Sequence, residues 1–220
     1  IGYCSLMSNT TGCYNLTSGS YALFSNTTGC HNVATGYQAL YSNTTASYNT
    51  GVGACALFAN TTGAQNIAVG YQALVSNTTG GDNTAFGYTA LQANTTATEN
   101  TAVGRSALYN NTTGDNNTAS GYTALFSNTT ADDNSAFGNK ALFYNTTGAY
   151  NTAIGRLSLY NNTTGNCNTA VGSSAMKGST TAAFNAAFGA NAMCLTTTGC
   201  FNVALGVNTL RANITGCANT

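Results

Sequence analysis

The stretch GYQALYSNTTASYNTGV, residues 36–52, decides the fold, because the chain repeats close variants of it thirteen times. A glycine opens each copy, from Gly2 to Gly206, and successive glycines are 17 residues apart without insertion or deletion. A constant short period is typical of a solenoid, in which each repeat forms one coil, or rung, that stacks on its neighbours. Positions within the repeat are numbered from this glycine.

The length and composition of the repeat indicate its secondary structure. Seventeen residues are too few for a helical hairpin with its turns, which takes about 34. The segment NTAVG at 100–104 is rich in β-forming and small residues, whereas NTTG is typical of a turn. We therefore predict an all-β fold, a single continuous β-solenoid domain over residues 1–220 with thirteen rungs and two short parallel strands per rung.

Several positions are nearly invariant, which indicates where they lie in a rung. Position 5 is leucine except for Met176 and Met193, as a core of constant volume requires. The asparagines of position 14 suit a stacked amide ladder, and the glycines of position 1 suit a turn with positive φ. Position 17 varies in size and is predicted to form an outer apolar stripe. The predicted stacked core contains Leu40, Leu57, Leu74 and Leu91.

Charge is almost absent from the chain. Five basic and five acidic residues give a formal net charge of zero, and charged residues are 5% of the total, against about 25% in an ordinary soluble domain. No basic patch exists to bind nucleic acid or an anionic membrane. No apolar run approaches the roughly 20 residues of a membrane helix, so we expect no membrane insertion. The absence of an initial Met or a signal-like start fits a mature, processed chain.

The sequence does not predict a catalytic centre. Its one histidine, His31, occupies a variable turn position without a carboxylate or serine pattern around it. No phosphate-binding loop or zinc spacing is present. Repeats place equivalent residues on every rung, which produces rows of identical side chains rather than a pocket in which different catalytic groups meet. We expect a non-enzymatic protein without a cofactor.

The acidic residues follow the repeat. They fall at positions 12 or 13 of four consecutive copies, so stacking would bring them to one turn. A weak divalent-cation site is one interpretation, because hard cations take several oxygen ligands. A solvated turn is the interpretation we favour, and we predict no metal site. The candidate strip consists of Asp82, Glu99, Asp115, Asp132 and Asp133.

The NTT segment gives an N-x-S/T sequon at position 8 of eleven repeats, the acceptor pattern for N-glycosylation in secreted proteins. A turn that prefers Asn and Thr explains the pattern equally well. Ser179 and Thr196 replace the asparagine, yet the following threonines remain, which favours the turn. The nearly uncharged surface favours glycans. The candidate sites are Asn9, Asn26, Asn43, Asn60, Asn77, Asn94, Asn111, Asn128, Asn145, Asn162 and Asn213.

Eight cysteines favour a location outside the cytosol. Cys13 and Cys30 share position 12 of adjacent repeats, and so do Cys200 and Cys217. Adjacent rungs bring Cα atoms to about 5 Å, within disulfide range, so these two pairs are predicted disulfides. A bond from Cys217 to Cys13 of another copy is the alternative.

The segments NTAVG, NTAFG and NTAIG, which begin at Asn100, Asn83 and Asn151, resemble the head repeats of bacterial trimeric autotransporter adhesins. The longer phrase GYQALVSNTTG at 70–80 is similar to repeats of tail-fibre-type proteins that end in a self-cleaving chaperone domain. The resemblance covers the whole chain. It implies a left-handed β-roll, often trimeric, exposed outside the cell.

These observations lead us to expect a structural subunit of an extracellular filament or fibre that self-associates. The expected junction stacks 206–220 of one copy on Ile1 and Gly2 of the next, because the repeat runs on in phase with one residue missing. A trimeric adhesin head or tail-fibre shaft that binds a host surface is the alternative. Ice binding is a lesser alternative. Ice-binding solenoids present Thr-x-Thr, with both threonines on one face of a strand, whereas the threonines of positions 9 and 10 are adjacent and would face opposite sides.

Overall fold

The structure is a computed structural model that describes residues 2–220. The chain divides into two compact units, Ile1–Thr113 and Gly114–Thr220. Each unit contains six strands of three residues and, among the described residues, no helix. The prediction of an all-β fold is therefore confirmed, whereas a single continuous domain over 1–220 stays a prediction.

The strands occupy positions 15 to 17 of each rung. Those of the first unit are β1 (Leu16–Ser18), β2 (Val33–Thr35), β3 (Thr50–Val52), β4 (Ile67–Val69), β5 (Thr84–Phe86) and β6 (Thr101–Val103). Those of the second unit are β7 (Thr118–Ser120), β8 (Ser135–Phe137), β9 (Thr152–Ile154), β10 (Thr169–Val171), β11 (Ala186–Phe188) and β12 (Val203–Leu205).

Within each unit the strands pair in chain order, and every pair is parallel. The register joins residues 17 apart, as in Ile67 to Thr84 and Val69 to Phe86. Parallel pairing of consecutive short strands at a constant offset is the geometry of a β-solenoid. Both units therefore have the predicted architecture, with one repeat per rung.

The number of strands corrects the prediction in two respects. Each rung has one strand instead of two, because positions 3 and 5 adopt positive φ, as at Gln38 (55°) and Leu40 (52°), and cannot extend. Their N–H groups bond in opposite directions, Gln38 to the carbonyl of Ser20 and Leu40 to that of Ala56. Twelve rungs carry a strand instead of thirteen, because 206–220 contains only the first of the three strand positions.

The core consists of columns of apolar side chains, each column formed by the same position of successive rungs. Alanines of positions 4 and 16 enclose the leucines of position 5, and these columns are almost completely buried away from the end rungs. Leu40, Leu57, Leu74 and Leu91 are each fully buried, as predicted. In the second unit Met176 and Met193 continue the leucine column and are also fully buried.

The glycine of position 1 ends each strand with a backbone that favours glycine alone. Gly53 has φ of 132°, and a Cβ built on it would lie 2.4 Å from the carbonyl oxygen of Gly70 on the next rung. Both the dihedral angle and the close approach of neighbouring rungs require glycine here. The predicted positive φ of this column is confirmed.

The asparagines of position 14 form the predicted ladder. Asn66 is fully buried, and its backbone N–H donates to Oδ1 of Asn49 at 2.9 Å. Its own Nδ2 donates to the carbonyl of Gly80 at 2.8 Å, and its Oδ1 accepts the backbone N–H of Asn83 at 3.1 Å. Through its backbone and side chain together, one asparagine thus joins three rungs, and the ladder satisfies backbone groups that no strand pairs.

Candidate functional site

The asparagines of position 8, which carry the sequons, point into the rung and form a second ladder. Asn60 is fully buried. Its Nδ2 donates to Oδ1 of Asn43 at 3.0 Å and to the carbonyl of Gly63 at 2.9 Å, and its Oδ1 accepts Nδ2 of Asn77 at 2.8 Å. The fully buried members of this column are Asn26, Asn43, Asn60, Asn77, Asn94, Asn111, Asn128, Asn145 and Asn162.

This geometry argues against the expected N-glycosylation. An N-linked glycan replaces a hydrogen on Nδ2, and in Asn60 both hydrogens of that atom are donated inside the rung. Asn9 and Asn213 are only half-buried, but their Nδ2 atoms also donate, to Gly12 at 2.9 Å and Gly216 at 3.1 Å. The recurring N-x-T is therefore explained by ladder and turn chemistry, and sugar on a subset of the eleven candidate asparagines stays an untested prediction.

The two threonines that follow this asparagine differ in role. The hydroxyl of Thr61, at position 9, donates to the carbonyl of Thr78 on the next rung at 3.0 Å, and the side chain is half-buried. Thr62, at position 10, is exposed. Only one of the two threonine columns therefore offers its hydroxyls to solvent, which does not favour the paired threonine array that ice binding would need.

The position-8 ladder is interrupted where the sequence replaces asparagine. Ser179 is fully buried, and neither its Oγ nor Oδ1 of Asn162 on the preceding rung has a hydrogen-bond partner. On the following rung the hydroxyl of Thr196 donates to the carbonyl of Asn213 at 2.6 Å. Thr196 thus satisfies itself by a different bond, and the defect lies between Asn162 and Ser179.

The predicted cysteine pairs are adjacent, but they are thiols in this structure. The Sγ atoms of Cys13 and Cys30 lie 2.8 Å apart, and those of Cys200 and Cys217 lie 2.7 Å apart. A disulfide bond is about 2.05 Å long, so the shared register is confirmed and the bond itself is not formed. The four other cysteines, all half-buried, are Cys4, Cys55, Cys167 and Cys194.

The acidic residues lie at turns and have no assembled ligand set. The carboxylate of Asp132 accepts the backbone N–H of Asp115 at 2.8 Å, so it caps the turn of the neighbouring rung. Asp82 and Glu99 donate their backbone N–H groups to the rungs before them. Across residues 2–220, no cluster of three or more His, Cys, Asp and Glu side chains could hold a metal ion.

His31 belongs to an exposed stack of rings. Its ring lies 4.9 Å from that of Tyr14 and 5.0 Å from that of Tyr48, nearly parallel to both. Position 6 forms a similar stack in which Tyr41 lies between Phe24 and Phe58, at 5.1 and 5.3 Å. Sequence reasoning missed both stacks, although the 17-residue spacing of these aromatic residues carried the signal.

Position 17 forms the outward row that the sequence predicted. In the second unit this face exposes Phe137 (41%), Ile154 (42%) and Phe188 (40%), while the intervening alanines of position 16 point inward. Position 15 lies on the same outward side and is half-buried in most rungs. The row contains no charged side chain.

An apolar opening of about 380 Å³ lies beside β12 in the second unit. It is lined by Val203, Ala204, Leu205, Thr209, Leu210 and Thr220. Strand β12 pairs with β11, and its other edge faces this opening. In the preceding rungs the equivalent edge is paired with the next strand, as the edge of β11 is paired with β12 through Ala187 and Ala204.

Comparison of the chain with protein-family models, curated proteins and solved structures finds no match. The resemblance to adhesin and tail-fibre repeats therefore rests on the quoted segments, and the structure supports it at the level of a parallel β-solenoid. Among residues 2–220, no helix has the length and apolar character needed to cross a membrane.

Proposed function

We propose that the protein is a non-enzymatic structural subunit of an extracellular filament or fibre, which assembles head to tail by stacking of rungs. The observation that carries the proposal is that each rung pairs with a copy of itself, because within each unit every strand pairs in parallel with the equivalent strand 17 residues on, as Ile67 with Thr84 and Val69 with Phe86. Most rungs have alanine or glycine at position 16 and an apolar residue at position 17, and Thr17, Ser18, Thr35 and Ser120 depart from this pattern.

The rung is chemically self-complementary, so a second copy of the chain is a suitable partner for its exposed face. Leu57 donates its N–H to Ala73 on the next rung, and Thr61 donates to Thr78. Other N–H groups of a rung donate to the rung before it, so each face carries both donors and acceptors, and the face towards the next rung complements the face towards the preceding one. Unpaired strand edges associate readily with other strands of suitable pattern.

Charge does not oppose such contact. Residues 2–81 contain no Asp, Glu, Lys or Arg, and Arg211 is the only charged residue in 206–220. Two such surfaces can approach without repulsion at any ionic strength. The contact expected at Ile1 lies outside the described residues, and on that side the described surface begins with the rung of Gly2, whose Leu6 is half-buried.

A matched pair of lysine substitutions tests the proposal. Thr209 is half-buried and lines the opening, so Thr209→Lys would place a charge where the next rung packs. Val207 belongs to the same rung but is 67% exposed and lies outside the opening, so Val207→Lys adds the same charge elsewhere. Sedimentation velocity over a concentration series should show association of the native protein and of Val207→Lys, and loss of association in Thr209→Lys.

The circular-dichroism spectrum of each variant establishes that the solenoid is folded. A native protein that remains monomeric at high concentration overturns the proposal. Equal association of folded Thr209→Lys and Val207→Lys also overturns it, because the opening would then not be the contact surface.

Lateral assembly is the second candidate, as in an adhesin head or tail-fibre shaft. The exposed apolar row of Phe137, Ile154 and Phe188 favours it, because such a row is usually covered by a partner. Phe137→Ser together with Phe188→Ser would disrupt lateral association and leave head-to-tail stacking intact. The same sedimentation series therefore distinguishes the two modes of assembly.

A further inference from the structure

The two cysteine pairs have the same geometry at corresponding positions of different units. In each, the sulfur atoms are 2.7 to 2.8 Å apart, and at least one of the two thiols is well exposed. Formation of a disulfide would require the sulfurs to approach by less than about 1 Å. Side-chain rotation alone supplies a movement of this size, so the backbone of the rungs can stay in place.

The two sulfurs of each pair are not equivalent. The backbone N–H of Cys13 donates to Sγ of Cys30 at 3.1 Å, and that of Cys200 donates to Sγ of Cys217 at 3.1 Å. Hydrogen bonds from the Cys13 thiol and then from its N–H lower the pKa of Cys30, and the Cys13 pKa is raised by the same thiol bond. The pKa of Cys217 is lowered, and that of Cys200 is raised, for the same reasons.

We propose that each pair is an oxidation site in which Cys30 and Cys217 are the attacking thiols and Cys13 and Cys200 the resolving thiols. The co-reactant is a small disulfide such as oxidised glutathione. This inference is independent of the proposed function, because it concerns bonds within one chain.

The reaction proceeds by two exchange steps. The Cys30 thiolate attacks one sulfur of the small disulfide, breaks its S–S bond and releases one thiolate, which leaves a mixed disulfide on Cys30. Cys13 then loses its proton to solvent and attacks the Cys30 sulfur, which releases the second small thiol. Two cysteine thiols are oxidised and one small disulfide is reduced to two thiols, and Cys217 and Cys200 react in the same way.

The product cross-links adjacent rungs. A bond between Cys13 and Cys30 joins the rung that begins at Gly2 to the one after it, and a bond between Cys200 and Cys217 joins 206–220 to the rung before it. These rungs have the most exposed position-5 side chains, Leu6 and Leu210 being half-buried instead of buried. The cross-links therefore restrain the least protected rungs.

Peptide mapping of the native chain after treatment with oxidised glutathione tests the chemistry. We expect intrachain Cys13–Cys30 and Cys200–Cys217, whereas Cys4 and Cys55 stop at mixed disulfides with glutathione. Cys13→Ser should accumulate the mixed disulfide on Cys30, whose Sγ still accepts the backbone N–H of residue 13, and Cys30→Ser should react at Cys13 severalfold more slowly, because the Cys13 sulfur accepts no such bond. Equal rates in the two variants overturn the assignment of roles.

Hydrogen exchange tests the consequence for the rungs. The N–H groups of Thr10 and Ala218 bond to adjacent rungs, and closing a loop of about 15 residues should slow their exchange by about hundredfold. The N–H of Leu57 is an internal control that should not change. Free thiols at all four positions after oxidation, or a Cys217–Cys13 bond between chains, would refute the proposal.

Discussion

Replacement of Ser179 by asparagine should stabilise the protein, because it repairs the broken position-8 ladder. Ser179 leaves two buried polar atoms without partners, its own Oγ and Oδ1 of Asn162. An asparagine here would donate Nδ2 to Asn162 and to the carbonyl of Ala182. Asn43 does the same to Asn26 at 2.9 Å and to Ala46 at 3.0 Å, in a rung that also has alanine at position 11.

The magnitude follows from the count of unsatisfied atoms. Each buried polar atom without a partner costs about 1–3 kcal/mol. The substitution removes two such atoms and creates one, the new Oδ1, because Thr196 on the next rung donates to Asn213 instead. We therefore expect a net gain of about 1–3 kcal/mol in the free energy of unfolding, and a rise in Tm of about 2–12 °C. Adding Thr196→Asn would complete the ladder and increase the gain.

Equilibrium denaturation in guanidinium chloride, with thermal unfolding alongside, measures the effect. Ser179→Ala is the matched control, because it removes one unsatisfied atom and leaves Oδ1 of Asn162 without a partner. The reverse change in an intact ladder, Asn60→Ser, should cost about 1–3 kcal/mol. A Ser179→Asn protein no more stable than Ser179→Ala, together with a neutral Asn60→Ser, would show that the ladder does not contribute to stability.

Three further predictions test other parts of the fold. Leu74→Ala should lower stability by about 2–5 kcal/mol, because Leu74 is fully buried, and a loss below 1 kcal/mol in guanidinium denaturation would contradict the stacked core. Thr78→Ala should lower the free energy of unfolding by about 1 kcal/mol, because the Thr78 hydroxyl donates to the carbonyl of Thr95 at 3.0 Å. Thr79→Ala, at the exposed neighbour, should change it by no more than about 0.5 kcal/mol, and equal losses in the two variants would refute the different roles of positions 9 and 10. Peptide mapping of the native protein by mass spectrometry should find Asn43, Asn77 and Asn111 unmodified, because they are fully buried, and a glycan on any of them would show that the position-8 asparagines are accessible.

Periodicity predicted the solenoid and much of its interior. A column such as Leu57 and Leu74 keeps its volume because it must pack against identical neighbours, so an invariant apolar position indicates the core. Position 14 was predicted as an amide ladder by the same reasoning. In each case the constraint comes from stacking, which recurs every 17 residues and is therefore visible in one sequence.

Position 8 shows where that reasoning left two interpretations open. Its asparagines were almost as constant as those of position 14, but the following threonines also matched a glycosylation sequon. Which interpretation holds depends on whether the asparagine side chain points inward or outward, and this direction is set by the backbone of the turn.

The second predicted strand was wrong for a different reason. Leucine is uncommon at positive φ, so the value of 52° at Leu40 could not be foreseen, and a strand was predicted there. The opening beside β12 depends on several rungs at once, and no single segment predicts it.

Electron cryomicroscopy of the concentrated native protein tests the central claim of head-to-tail assembly most directly. The account predicts unbranched filaments in which the rung spacing of about 4.8 Å continues across each junction between copies. Density for a neighbouring copy should occupy the opening lined by Ala204, Leu205 and Thr209. Discrete monomers or closed lateral oligomers with that opening exposed to solvent would contradict it.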